Sequence, residues 1–209
     1  MKVTINSVNG SAHRNVAILC PHCGHNGTFI PIGQDYYIQN QSLFVGQRYC
    51  PNVRCLGHVF FIGSSNDDNI ITYPGNTIPF DKIGIPDKVI NAFSEAVTCH
   101  SNNCFVASAI MIRKTLEEIC NNENSNGKNL KERLKSLGSK IMIPKELLEG
   151  MDELRLLGND AAHIEANTFE QIGKTEIEIS IEFTKEILKA TYQYEDLLSK
   201  LRSLKKPSS

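Results

Sequence analysis

Four cysteines stand in two close pairs: Cys20-Pro21-His22-Cys23 is C-x2-C, and Cys50-Pro51-Asn52-Val53-Arg54-Cys55 is C-x4-C, with 26 residues between the pairs. This is zinc-ribbon spacing, because a short gap lets one turn present two thiolates to one ion and Zn²⁺ takes four soft ligands in a tetrahedron. Gly24 permits the tight turn after the second thiolate, and Pro21 and Pro51 stiffen the loops. Four protein ligands leave no open position for water, so the expected Zn²⁺ is structural. His22, His25 and His58 lie beside the cysteines and could replace one of them. Four cysteines are the preferred set, since each knuckle then contributes equally. The competing reading is two pairs of buried free thiols. Cys99, Cys104 and Cys120 read as small hydrophobes, with a second metal site around Cys99 and Cys104 as the alternative.

A second constellation falls in Leu154-Arg155-Leu156-Leu157-Gly158-Asn159-Asp160-Ala161-Ala162-His163. On a helix Arg155, Asn159 and His163 stand at i, i+4 and i+8, each step adding about 40° and about 6 Å, so they form a slanted polar row. The row borders an apolar seam of Leu154, Gly158 and Ala161 and belongs at the edge of a helix interface. Arg113 and Glu117 hold the equivalent flank of another helix and are its natural partners. On a purely structural reading, Arg155 pairs with Glu117 or another acid, Asn159 binds a backbone carbonyl, and His163 caps the helix, where the dipole favours a cation.

Just before this segment, Lys128, Lys131, Arg133, Lys135, Lys140 and Lys145 stand against a single acid, Glu132. It is the one basic cluster, and it could guide a phosphate backbone toward His163, with Lys128, Lys131, Arg133 and Lys135 as the RNA contacts. The same charges equally describe a solvated helix face. Residues 128–145 hold no aromatic side chain for base stacking.

The elements that must carry these groups follow from periodicity. Val16 to Leu19, Thr28 to Ile32, Leu43 to Tyr49, Val59 to Ile62 and Ile70 to Tyr73 read as short strands between Gly, Asn and Pro clusters. So small an antiparallel unit buries too little to fold unaided, and the metal would staple it. Beyond Pro79 the period becomes helical. Val89, Ile90, Phe93 and Val97 line a first helix after Asp87; Phe105, Ala109, Ile112, Leu116 and Ile119 line a second. Leu130, Leu134 and Leu137 line a third, stopped by Gly138. A fourth opens at Pro144 with Leu147, Met151, Leu154, Gly158 and Ala161 on one side, its small residues allowing close approach. The last runs from Lys174 to Leu201 with Ile177, Ile181, Ile187, Leu188, Tyr194, Leu197 and Leu198. The expected fold is α+β: residues 1–80 a small antiparallel β zinc ribbon, residues 81–205 a four- to five-helix bundle, residues 206–209 a frayed tail.

Composition agrees. Hydrophobic residues make up 41% and charged residues 22% of 209, a globular balance. Of 22 Lys and Arg only four, and of 23 Asp and Glu only three, fall within residues 1–80, so the chemistry of the chain changes at the proposed boundary. The net charge of -1 gives no general attraction to polyanions, and any nucleic-acid contact must be local. The longest apolar run, Phe105 to Ile112 broken by Ser108, is far short of the ~20 residues that span a bilayer. The first residues lack a secretory signal's apolar core, so a cytoplasmic, reducing setting is expected, one that favours metal ligation over disulfides.

With the two cysteine knuckles, Ile112-Arg113-Lys114-Thr115-Leu116-Glu117, the segment from Gly127 to Leu134 and the Arg155 to His163 row all in view, the chain resembles bacterial domain-of-unknown-function family 4145, in which a zinc ribbon precedes a helical domain of the HEPN superfamily. The resemblance covers nearly the whole chain. It implies an RNA-directed module, with metal-independent ribonucleases among its relatives, and catalytic roles for His163, Asn159 and Arg155, supported by Arg113 and Glu117. It implies as well a homodimer through the helical domain and a setting in phage defence, restriction or toxin action. In that chemistry a His takes a proton from the ribose 2′-OH and returns one to the leaving 5′-oxygen, while Arg steadies the phosphoryl charge. Relatives separate Arg and His by four to six residues in total; here seven intervene, and Gly158 rather than Arg precedes Asn159. The alternative is a non-catalytic adaptor whose ribbon and bundle dock onto a nuclease or regulatory partner.

Overall fold

The computed structural model describes residues 9–11, 14–38, 42–64, 70–141, 143–163 and 172–204; the tail expected at 206–209 lies outside them. The chain is α+β and divides into two compact units, Met1–Pro79 and Phe80–Ser209.

The first unit is wholly antiparallel. β2 (Ala17–Leu19) and β3 (Asn26–Thr28) form a two-stranded ribbon around the first knuckle. β1 (Asn9–Ser11), β4 (Ile30–Ile38), β5 (Leu43–Tyr49), β6 (His58–Ser64) and β7 (Ile70–Tyr73) form a five-stranded sheet in the order β1-β4-β5-β6-β7. Two features depart from the sequence reading. The short strand β1 was not expected, and β4 does not end at Ile32. It runs on to Ile38 through an irregularity between Ile32 and Tyr36, with Gly33 in the left-handed region at φ 68°. A bulge of this kind re-aims the side chain that follows. The one re-aimed here is Asp35, which turns into the core and is fully buried.

That buried acid meets Arg48 of β5, also fully buried, in a two-pronged pair: Arg48 Nη1 donates to Asp35 Oδ1 at 2.7 Å and Nη2 to Oδ2 at 2.6 Å. Arg48 Nε is left without a partner among the described residues, but other valences are occupied. The Arg14 backbone N–H donates to Asp35, Arg48 donates to the Arg14 carbonyl, and the guanidinium lies 4.6 Å from the Phe61 ring centre. The apolar core of this unit is Val16, Ile18, Phe29, Val59 and Phe61, together with Cys20 and Cys50.

The second unit is helical: α1 (Asp87–Ser101), α2 (Phe105–Asn122), α3 (Leu130–Lys140), α4 (Lys145–Ala162) and α5 (Lys174–Leu188), the last continued by a π-helical turn, Lys189–Gln193, and α6 (Tyr194–Ser203). The apolar seams read from the sequence become its core, with Val89, Phe93, Ile112, Leu116, Ile119, Leu137, Met151, Ile177 and Ile181 fully buried. Gly138 does not stop α3. It lies inside the helix, where a side chain would overlap Leu148 of α4, so the glycine admits a neighbour. Gly158 does the same between α4 and α2, where a Cβ would collide with the Arg113 side chain and the Ala109 carbonyl. α3 begins with Asn129 as its cap, whose side chain accepts from Glu132 N at 3.0 Å, while Glu132 accepts from Lys128 N. The last helix is not one apolar face. The π turn inserts a residue, and Tyr194, Leu197 and Leu198, expected in the core, are exposed.

Candidate functional site

Two hairpin corners converge in the first unit. Cys20 N–H donates to His25 O at 2.8 Å and Gly24 N–H to Cys20 O at 2.9 Å; across from them Cys50 N–H donates to Gly57 O at 2.9 Å and Cys55 N–H to Asn52 O at 2.8 Å. Gly24 adopts φ 73°, the left-handed turn its position requires. These corners bring the Sγ atoms of Cys20, Cys23, Cys50 and Cys55 within 4.8 Å of one another, with Cys20–Cys55 at 3.8 Å and Cys23–Cys50 at 3.7 Å. A tetrahedron with metal–sulfur bonds of about 2.3 Å has edges of about 3.8 Å, so the four sulfurs are spaced as one ion would hold them. Disulfides, with S–S near 2.05 Å, do not fit.

The backbone supports thiolates at all four positions by one repeated device. His22 N–H points at Cys20 Sγ and Gly57 N–H at Cys55 Sγ, each at 3.4 Å, and the N–H groups of His25 and Asn52 serve Cys23 and Cys50. In every case the donor lies two residues after the cysteine. The His25 N–H is the main reason the Cys23 thiol titrates low, at about 7. Burial pushes Cys50 up to about 12, with the neighbouring sulfurs adding to the rise. Four sulfurs this close cannot all carry charge without a cation among them, and a bound metal ion would supply it. His22 is not a competing ligand: its Nε2 bonds the His58 carbonyl at 2.9 Å and ties the two corners together. Gly57 leaves room for that ring. Among the described residues this is the one cluster with metal-holding geometry; Cys99, Cys104 and Cys120 join no such group.

The α4 row is placed differently. His163 lies just past the helix, at φ -133° and ψ 121°, so it leaves the expected helical row and turns outward. It is exposed, its N–H bonds the Asn159 carbonyl at 3.1 Å, and its ring makes no hydrogen bond among the described residues. Asn159 is half-buried. Arg155 is 16% exposed, and its Nε donates to Asp152 Oδ1 at 2.6 Å. The expected partner, Glu117, does not reach it: Glu117 pairs instead with Arg113 at 3.5 Å and Lys114 at 3.9 Å on its own helix. Asp152, one turn away on α4, is simply closer. Arg113 does cross to α4, donating from Nη1 to the Arg155 carbonyl at 3.3 Å.

Of the basic cluster, Arg133 is committed internally, bonding Asn121 Oδ1 at 2.6 Å and the carbonyls of Ser125 and Glu117. Lys140 bonds the carbonyls of Glu123 and Asn124, and Lys145 pairs with Glu149 at 3.0 Å. Lys128, Lys131 and Lys135 are exposed and make no ion pair among the described residues. Lys131 and Lys135 edge a groove of about 630 Å³ floored by Leu134, Gly138 and Leu148. The sequence reading missed a separate aromatic surface. Phe60 and Tyr73 are cross-strand partners on the solvent face of the β4–β7 sheet, and Tyr36 shares that face; period-two alternation in β6 was the signal that could have shown it.

Compared with known proteins, the chain matches over residues 94–206 the family model described as a domain of unknown function (DUF4145). No curated protein and no solved structure shows a significant match. No helix among the described residues is long and apolar enough to cross a membrane.

Proposed function

The chain belongs to the DUF4145 family, and on that premise we propose that it is a zinc-braced, HEPN-like RNA-directed module, a metal-independent ribonuclease of bacterial defence, restriction or toxin systems acting in the cytoplasm. Cys20, Cys23, Cys50 and Cys55 hold a Zn²⁺ that folds the first unit and takes no part in the reaction, since four sulfurs leave it no site for substrate.

One observation carries the RNA reading: His163 stands exposed at the end of α4, its ring making no hydrogen bond among the described residues, beside Asn159. The neutral imidazole removes the ribose 2′-OH proton; the 2′-oxygen attacks phosphorus, the P–O5′ bond breaks, and the imidazolium returns the proton to the 5′-oxygen. The products are a 2′,3′-cyclic phosphate and a 5′-hydroxyl. Lys128, Lys131 and Lys135 draw in the backbone.

A second reading rests on a different observation. Arg155 is already neutralised by Asp152 and largely covered, so the cation that would steady a phosphoryl group is committed elsewhere. That arrangement suits a non-catalytic adaptor docking on a nuclease or regulatory partner. Incubating the full chain with RNA in the absence of added divalent cation separates the two. Cleavage with cyclic-phosphate ends is expected, falling by about 10²-fold or more in His163→Ala and unchanged in Lys174→Ala. If the folded wild type cleaves no RNA, the adaptor reading stands and the ribonuclease is excluded.

A further inference from the structure

We propose that Cys99 and Cys104 form a reversible disulfide across the α1–α2 corner, a site of oxidative modification that ties the end of one helix to the start of the next. Asn103 takes the left-handed conformation, at φ 59°, just past the end of α1. Two backbone bonds close the turn: Asn103 N–H donates to the His100 carbonyl and Cys104 N–H to the Cys99 carbonyl, each at 2.9 Å. This is the Schellman arrangement, in which the residues joined by the outer bond also tend to bring their side chains together. Here both are cysteines. From Cys99 Cα, through its carbonyl oxygen and the 2.9 Å bond, to Cys104 Cα is a path of at most about 6.8 Å, and disulfides span about 4.4 to 6.8 Å between Cα atoms. The path bends at the carbonyl oxygen, so the direct separation is shorter and lies within that range.

The chemistry of this corner differs from that of the ribbon. Cys50 and Cys55 share its C-x4-C spacing but meet a second pair of cysteines, whereas among the described residues Cys99 and Cys104 belong to no metal-holding cluster. Two thiols without a metal are left to exchange chemistry. Cys104 is exposed and is the sulfur an oxidant reaches first. Cys99 is half-buried; burial is the main reason its thiol titrates high, with Cys104 and Glu95 adding to the rise. With oxidised glutathione as electron acceptor, the Cys104 thiolate attacks one of its sulfurs and a glutathione thiolate leaves. Cys99 then gives up its proton and attacks Cys104 Sγ, the mixed S–S bond breaks, and the second glutathione leaves with the electron pair and takes up a proton. Two protein thiols become one disulfide, and one glutathione disulfide becomes two thiols. Cys120, fully buried in the core, takes no part. In a reducing setting such a bridge is transient and serves as a sensor.

Peptide mass mapping of the full chain, purified with zinc present and treated with oxidised glutathione, tests this independently of any RNA activity. Residues 89–113 contain no Lys or Arg and no cysteine besides Cys99 and Cys104, so both sulfurs travel in one tryptic peptide, apart from those of the ribbon. In wild type that peptide should lose two hydrogens in mass, resist alkylation, and regain both thiols on treatment with dithiothreitol. Cys99→Ser should leave glutathione attached to Cys104, because the second sulfur that displaces it is gone. Cys104→Ser should leave Cys99 alkylatable. The proposal is overturned if glutathione stays on Cys104 in wild type as it does in Cys99→Ser, if both thiols remain open to alkylation, or if either sulfur is found bridged to a different cysteine or a second chain.

Discussion

In the first unit four sulfurs are already spaced as ligands and every one receives a backbone N–H, whereas on α4 the residues read as a row are dispersed, with Arg155 turned to Asp152, Asn159 half-buried and His163 off the helix. The difference lies in what sets the geometry. Each cysteine knuckle is closed by hydrogen bonds within six to eight residues of chain, so backbone alone brings its two sulfurs together. The α4 row depends on long side chains that choose among nearby acids, and the nearest wins. A pre-arranged site points to a fixed role, and an unassembled one points to a role completed by a ligand or a second chain.

The same contrast governs what holds the two units, and the strongest way to test it is to remove the metal. Zinc binding to small ribbons carries an apparent ~10 to 16 kcal/mol of folding free energy, which far exceeds what the few apolar side chains of this unit supply. Purified chain should contain one zinc per molecule by elemental analysis. Chelation, or Cys50→Ser, should erase the β signal of residues 14–73 in hydrogen exchange while the helices of the second unit stay protected. If both units unfold together, or neither does, the contrast fails.

The next largest effect belongs to Asp35 and Arg48. Leaving one buried charge without its partner typically costs about 3 to 5 kcal/mol, so Asp35→Ala should be severely destabilising in urea unfolding of the zinc-loaded protein. Replacing both together, Asp35→Leu with Arg48→Met, should recover much of the loss, since well-packed apolar pairs replace buried ion pairs at little cost.

These two anchors were unequally legible. The cysteines could be read because their spacing is local and their chemistry specific. The ion pair could not: Asp35 and Arg48 stand 13 residues apart with no motif linking them, and only the bulge after Gly33, which turns Asp35 inward opposite Gly46, makes them meet. In the helical unit the seams of α1, α2 and α4 were plain from period alone. Where the reading failed, a neighbour intervened that period does not encode. Gly138 stays helical where Leu148 approaches it, and the stripe beyond Leu188 is rephased by a π turn. The site on α4 was legible as residues but not as geometry, because helical spacing fixes Cα positions while Asp152 decides where the Arg155 guanidinium goes.

A smaller effect probes the helical unit where α4 crosses α2. Alanine is favoured over glycine in a helix by about 1 kcal/mol, which alone would make Gly158→Ala stabilising. The Cβ would, however, fall against Arg113 Cβ and the Ala109 backbone carbonyl at 3.0 Å, neither of which is a free-swinging group. Overpacking of this kind costs about 1 to 3 kcal/mol, so the net change should be destabilising and larger for Gly158→Val. A rise in the unfolding midpoint of Gly158→Ala would show that the two helices can separate freely.

The smallest effect should come from His100, a buried histidine at the end of α1. Burial lowers its pKa; Glu178, 3.4 Å away on α5, acts against that, and Lys174 on the same helix adds to the lowering. Neither ring nitrogen makes an aligned hydrogen bond among the described residues. With the folded pKa below the unfolded value near 6.5, the unfolded chain binds the extra proton first as pH falls. His100 therefore costs nothing at neutral pH and withdraws stability progressively below about pH 6.5, until the pH falls below the folded pKa as well. Metal binding by the four cysteines would also weaken in acid as thiolates protonate, so the comparison must be made on the helical transition, between wild type and His100→Phe. The variant should lose less thermal stability than wild type between pH 7 and pH 5; an equal loss would mean that Glu178 holds the imidazolium as well as the unfolded state does.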